Sequence, residues 1–352
     1  MFLYFLVFIT AMLVTVLLVP LAKSSAFLFN AIDKPSARKV HTGPMPRCGG
    51  IALVGGFLSA VLLGLLFAFI FRRLHINYFA VLGVITGAVL MFFIGLVDDI
   101  KGISPSKKLL LQIFAASVPV VMGVSIQFIS IPFTGVLLLG VFSVPLTLLW
   151  IVGATNALNF IDGLDGLASG VSAIAAATLF VVALKMHQPG AAMILAAVAG
   201  AAIGFLKFNF HPASIFLGDS GSLFLGYILA AASIIGVLKS TIIFALLIPV
   251  FILGVPIFDT ASVIMRRMRD GHPIFYADRR HLHHRLLDRG FSHKQVVVSI
   301  YFACILLSIA TLSLTFLSPL AAALVLAVTF AMSVALIRSV KRYVKKFVVT
   351  ER

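Results

Sequence analysis

A chain of 352 residues that is 61% hydrophobic and 11% charged, with a mean hydropathy of +1.17, is not a soluble domain, since soluble proteins carry about 25% charged residues. Its net charge of +16 invites a nucleic-acid reading, which the placement of the basic residues excludes. Two cysteines, Cys48 and Cys304, are too few and too distant for a disulfide framework.

Apolar runs near twenty residues long match the bilayer's hydrocarbon core of about 30 Å. Eleven are expected, at roughly 2–22, 51–71, 78–97, 109–126, 136–154, 167–184, 190–206, 221–237, 241–263, 296–315 and 319–337. Connections between them are short, so the chain is expected to be an all-α polytopic membrane protein forming one domain over 1–352. The first run lacks a basic flank and exceeds a signal-peptide core, which makes it an uncleaved anchor. Alternating β-branched residues at 125–135 fit a small hairpin in an outer loop.

If the N-terminus is outside and each run crosses, 23 of the 27 Lys and Arg residues share one face with all eleven acids. The positive-inside rule accounts for that asymmetry without a polyanion and makes the shared face and the C-terminus cytoplasmic. The basic tail, 338–352, can also touch anionic membrane lipids, each residue contributing about 1 kcal/mol.

Five polar islands on that face carry the candidate chemistry. The first, DKPSARKVHTGPMPRCGG at 33–50, is kept from helix by Pro35, Pro44 and Pro46 and offers Lys39 and His41 to a phosphate. In the second, VDDI at 97–100, adjacent Asp98 and Asp99 repel, so they share a proton or recruit a cation. Ser104-Pro105 is the better cap for the helix that follows.

The third island, NALNFIDGLDGL at 156–167, repeats polar groups every third residue: Asn156, Asn159, Asp162 and Asp165. In an unbroken helix these would spiral half way round, because three residues turn about −60°. Gly163 and Gly166 permit the break that would let them converge. Their oxygens suit Mg²⁺, a hard cation that keeps water or phosphate among its ligands. The fourth, FLGDSGS at 216–222, sets Asp219 at the start of an apolar helix, where free amides favour anions, with Phe216 able to stack on a base. The fifth contains HLHHRL at 281–286, in which helical spacing gathers His281, His284 and Arg285 for phosphate recognition. No Cys or third helical His completes a zinc site there. Asp259, in VPIFDT at 255–260, is an ionisable residue inside an apolar run and therefore a candidate functional residue.

Taken in order, these strings resemble the polyprenyl-phosphate N-acetylhexosamine-1-phosphate transferases, glycosyltransferase family 4, with matches over 33 to about 290. The chain is most similar to the bacterial enzymes that begin wall teichoic acid or O-antigen-type polymers. That resemblance implies transfer of GlcNAc-1-phosphate from UDP-GlcNAc to undecaprenyl phosphate, with release of UMP, at the cytoplasmic face of a bacterial plasma membrane. It also implies Mg²⁺ (or Mn²⁺) held by Asp219 with Asn159 close by, and catalytic roles for Asp98, Asp99, His281, His283 and His284. Asp98 would activate the lipid phosphate. Asn156, Asp162, Asp165, Phe216, Lys39, His41 and Arg285 would contact substrate, and a homodimer is plausible for the family. One departure is Gly102, where the family's acidic-pair motif often carries Asp or Lys. The competing readings are the lipid I-forming translocase, whose histidine loop differs from HLHHRL, and a polytopic transporter.

Overall fold

The computed structural model describes residues 1–33, 44–71, 74–131, 135–236, 247–271, 281–318, 320–322, 324–329 and 331–332. Lys39, His41 and the basic tail lie outside the described residues. Helix α1 (Phe2–Leu28) leads into a two-residue antiparallel pair, β1 (Ile32–Asp33) with β2 (Met45–Pro46). Then come α2 (Gly49–Phe71), α3 (Tyr78–Lys101) and α4 (Pro105–Val121). The expected hairpin is present as β3 (Phe128–Ile131) paired with β4 (Gly135–Leu138). After it run α5 (Ser143–Ile161), α6 (Leu167–Lys185), α7 (Pro189–Asn209), α8 (Gly218–Gly236), α9 (Leu247–Ile252), α10 (Gly254–Arg269), α11 (Leu282–Leu287) and α12 (His293–Phe316).

The all-α membrane fold is thus confirmed: eight helices are long and apolar enough to cross a bilayer, and strands are confined to the two small pairs among the described residues. Three expected runs look different. Helix α4 has 17 residues and contains Pro119, so it spans about 26 Å at 1.5 Å per residue. The run expected at 136–154 begins instead with β4, and the helix starts only at Ser143, after the hairpin closes. The run at 241–263 is split at Leu253 into α9 and α10, and 237–246 lie outside the described residues. The last run, 319–337, is described only in pieces.

Helix α8 is the axis of the bundle. Every one of its residues is buried except Asp219, and α2, α3, α5, α6 and α7 all pack on it. Such all-round burial explains why α8 shows no polar face. Polar ties fix its neighbours: Trp150 on α5 donates from Nε1 to the Ala230 carbonyl and Ser233 Oγ, both at 3.2 Å. On the periphery, Leu17, Leu62, Phe69, Phe79 and Phe114 are exposed, a surface that suits acyl chains rather than water.

Between α1 and α7 the contact is set by Gly200 and Gly204, four residues apart. A Cβ at Gly200 would strike the Phe8 carbonyl, and one at Gly204 would lie 2.5 Å from the Met12 carbonyl. Small residues at this spacing let two membrane helices approach backbone to backbone. Gly200→Val should therefore lower the thermal midpoint of the detergent-solubilised protein, by an overpacking cost of about 1–3 kcal/mol. Gly153→Ala, which meets nothing within 4 Å, should leave the midpoint unchanged.

Candidate active site

The polar islands come together at one end of the bundle because helices alternate direction. The last turns of α3 and α5 and the first turns of α2, α4, α6, α8 and α12 meet there, as the following contacts show.

Asp99, in the last turn of α3, is buried and accepts the backbone N–H of Asp219 at 2.8 Å on Oδ1 and that of Ser220 at 2.9 Å on Oδ2. Those are first-turn amides of α8, two of the donors a helix start leaves without partners. The α8 terminus thus spends these amides on a protein carboxylate and not on a substrate anion. Arg47, just before α2, backs the same oxygen at 3.6 Å and reaches Asp33 at 3.9 Å. A side chain at Gly218 would collide with the Arg47 carbonyl and the Asp99 carboxylate. The chain at 46–50 is stitched to the α8 entry by Phe216 N–H to Pro46 O at 2.8 Å, Gly49 N–H to Phe216 O at 3.0 Å and Gly50 N–H to Leu217 O at 3.0 Å.

Asp98 lies one residue earlier, and its carboxylate faces α4. Oδ1 accepts the Ile103 N–H at 2.6 Å, and Oδ2 is 2.7 Å from Lys108 Nζ. The same ammonium is 2.9 Å from Asp219 Oδ2, so Lys108 bridges the two carboxylates. Gly102 makes this return possible: it ends α3 at φ +70°, a left-handed conformation that Asp or Lys would adopt only with strain. Ser104 and Pro105 then occupy the N-cap and first position of α4, as expected.

The NALNFIDGLDGL segment is helical through Ile161 and breaks at residues 162–166, with Gly166 at φ +79°. Asn159 donates from Nδ2 to Asp219 Oδ1 and Ser222 Oγ, both at 2.8 Å. Asn156 faces α4, where it donates to the buried Gln112 Oε1 at 2.7 Å. Asp162 is pushed up to about 8, first by burial, then by the charges of Asp219, Asp99 and Asp165, against the opposing pull of Arg47. Past the break, Asp165 accepts from Ala213 N–H at 3.1 Å and pairs with His211 Nδ1 at 2.8 Å. His211 stacks on His293 at 4.3 Å and 15°. Asp165, His211 and His293 put potential ligand atoms within 4.8 Å of one another. Nearly parallel rings, however, hold their in-plane lone pairs in separate planes, so one ion cannot engage both as they stand. Phe216 is half-buried at the α8 entry, close in sequence to this stack.

The histidine segment docks on the same turn. His281 is the N-cap of α11, and both His281 and His283 are buried. His283 packs Nε2 against Gly163, and burial, with its neighbours His284 and His281, lowers it to about 3, so it is neutral at pH 7. Arg285 is exposed. Asp259, left without a role by sequence, is buried on α10 and holds His281 Nδ1 at 2.9 Å and the Leu282 N–H at 2.8 Å.

Sequence reasoning passed over Lys108, Arg47 and Gln112. They lie in stretches read as topogenic charge or as membrane span, and only the α3–Gly102–α4 return and the β2–α2 junction reveal them. Around Asp219 stand four carboxyl groups, those of Asp98, Asp99, Asp162 and Asp219, against two cations, Arg47 and Lys108. Even with Asp162 protonated the acids outnumber the cations, and the oxygen donors are of the hard type Mg²⁺ takes.

A multi-pass membrane bundle with an acidic site at its helix ends is the class that fold and site define. Glycosyl transferase family 4 matches over residues 81–237. The chain is 42% identical over 308 residues, 87% of its length and 84% of the relative's, to a probable undecaprenyl-phosphate N-acetylglucosaminyl 1-phosphate transferase of Bacillus subtilis (strain 168). It is 38% identical over 351 residues (94% and 86%) to the decaprenyl-phosphate N-acetylglucosaminephosphotransferase of Mycolicibacterium smegmatis. Identity is 29% over 308 residues (85% and 81%) with the undecaprenyl-phosphate alpha-N-acetylglucosaminyl 1-phosphate transferase of Salmonella typhi. The protein belongs to this family of polyprenyl-phosphate N-acetylhexosamine-1-phosphate transferases.

The proton on Asp162 gives a pH prediction for metal-free protein. Unfolded, an Asp titrates near about 4; folded, Asp162 titrates near about 8. Between those values the native state binds the extra proton, so this group makes stability fall as pH rises. Melting curves in EDTA at pH 5.5 and 8.5 should show a decline that Asp162→Asn reduces; an unchanged decline would remove Asp162 as its source.

Proposed function

We propose that the protein transfers GlcNAc-1-phosphate from UDP-GlcNAc to undecaprenyl phosphate, releasing UMP and starting a cell-envelope polysaccharide at the cytoplasmic face of the plasma membrane. The observation that carries the reading is the Asp98–Lys108–Asp219 bridge beside Asn159, in a chain whose relatives bear that activity in their names.

In the reaction, an oxygen of the lipid phosphate bonds to the donor phosphorus that carries the sugar. The bond from that phosphorus to the oxygen bridging it to the uridine phosphate breaks, and its electron pair leaves with UMP. Phosphoryl transfer needs positioning and charge neutralisation more than covalent participation. The lipid phosphate, with a second pKa of about 6, is already largely dianionic at pH 7. Asp98 therefore orients the nucleophile and need not remove a proton. Both its oxygens are engaged, one by the Ile103 amide and one by Lys108, which disfavours a covalent adduct on it.

Asp219 is the proposed principal Mg²⁺ ligand, Mn²⁺ being the alternative, with Asn159 beside it as the second ligand. When bound, the ion supplies the positive charge that offsets repulsion between the two phosphate-bearing substrates. Lys108 and Arg47 add fixed positive charge at the junction of the helix ends. His281, His284 and Arg285 face the sugar and phosphate groups, Lys39 and His41 reach phosphate, and Asp165 and Phe216 receive the uracil. His283, neutral and wedged on Gly163, fixes the histidine segment to the α5–α6 turn.

Release of UMP by detergent-solubilised protein should require undecaprenyl phosphate and Mg²⁺ and be supported by UDP-GlcNAc. Activity with UDP-MurNAc-pentapeptide instead would make the protein a lipid I-forming translocase, and no UMP with either donor would reopen the transporter reading. Substituting decaprenyl phosphate tests the acceptor. Lys108→Gln should lower kcat by about 100-fold, the scale of losing one preorganised charge, while Asp98→Asn at full rate would remove Asp98 from the mechanism.

A further inference from the structure

The carboxylate of Asp259 makes two different bonds with its two oxygens. Oδ1 accepts the backbone N–H of Leu282, the first residue of α11, at 2.8 Å. Oδ2 pairs with His281 Nδ1 at 2.9 Å. Both side chains are buried, Asp259 at 8% and His281 at 7% exposure, so neither bond is diluted by water. The two residues are 22 positions apart, which makes the pair a tertiary link between α10 and the histidine segment.

An ionised carboxylate only accepts, so the ring nitrogen facing it carries a proton. His281 thus has its proton on Nδ1, and Nε2 is the nitrogen left for other partners. The ring lies 5.8 Å from that of Phe160, between Asn159 and Asp162 in the chain, and is stacked 5.9 Å from His283, which rests on Gly163. We infer that Asp259 is a positioning residue for the proposed transfer: it sets the ring proton of His281 and aims Nε2 at the substrates. The inference rests on the proposed function for its kinetics, but not for the state of the ring.

The double contact yields a sharp test. In Asp259→Asn, the Leu282 N–H still requires an oxygen, so the amide oxygen must keep that place. The amide NH₂ is then turned to His281 and can only donate, which forces the proton from Nδ1 to Nε2. The helix cap survives while the tautomer inverts. Asp259→Ala loses both, and Asp259→Glu retains the chemistry with a longer arm.

Full-length protein in detergent, labelled with ¹⁵N-histidine and assigned by comparison with His281→Ala, reports the ring directly. We expect protonated Nδ1 in the wild type and in Asp259→Glu, and protonated Nε2 in Asp259→Asn. UMP release should fall in Asp259→Asn by about 100-fold, the range of a displaced acid–base group, in kcat with KM for the nucleotide sugar nearly unchanged. Asp259→Glu should recover part of that loss. On a His281→Ala background, Asp259→Asn should cost less than about 2-fold more, because coupled residues are not additive. An unprotonated Nδ1 in the wild type would overturn the inference, as would an equal loss with and without His281. Wild-type protein that shows the expected ring state but releases no UMP would refute the proposed function and leave the Asp259–His281 pairing intact.

Discussion

The site depends on one carboxylate whose two oxygens tie two helix ends together. Asp99 takes two first-turn amides of α8 and so pins the start of the most buried helix to the end of α3. Asp219 is fixed by its own backbone N–H in that clasp, and Asp98, one residue before the clasp, is thereby brought to the same ammonium. A buried carboxylate is costly unless its oxygens are satisfied. Asp99 meets that condition with two amides and Arg47. The adjacent acids therefore divide the work: one builds the site and the other faces it.

Charge accounts for the remaining polar groups. Gathering Asp98, Asp99, Asp162 and Asp219 at a membrane boundary leaves more negative charge than Arg47 and Lys108 neutralise. Lys108 is drawn between two carboxylates, and burial among the other acids pushes the Asp162 carboxyl up to about 8.

Much of this was readable from the sequence because hydropathy and punctuation are local signals. Membrane-length runs, the Ser104-Pro105 helix start, the break near Gly166 and the hairpin before α5 follow from composition and turn chemistry within a few residues. What differed depends on which partner a segment meets. Residues 136–138 are as apolar as a span, yet they pair with 128–130 in the hairpin, which delays α5 to Ser143. Asn156 was grouped with its neighbours by spacing, but in an intact helix it points to Gln112 on α4. The roles of Lys108 and Asp259 depend on which helix ends meet, and spacing in one chain does not encode that.

The histidine segment is held by polar contacts as well as by packing. It has one short helix, whose Leu286 joins the core while Leu282 and Leu287 pack against it. Three contacts of different kind add to that packing: Asp259 fixes its first residue and first amide, His283 lies neutral against Gly163, and the Ser292 and Gln295 capping box starts α12 just beyond it. His293 then stacks on His211, which Asp165 holds, and Tyr301 donates its hydroxyl to the Gly166 carbonyl. The α5–α6 turn is thus gripped from both ends of the segment. Its acids sit between the carboxylates on α3 and α8 and the imidazoles, where a nucleotide sugar could be met from both sides.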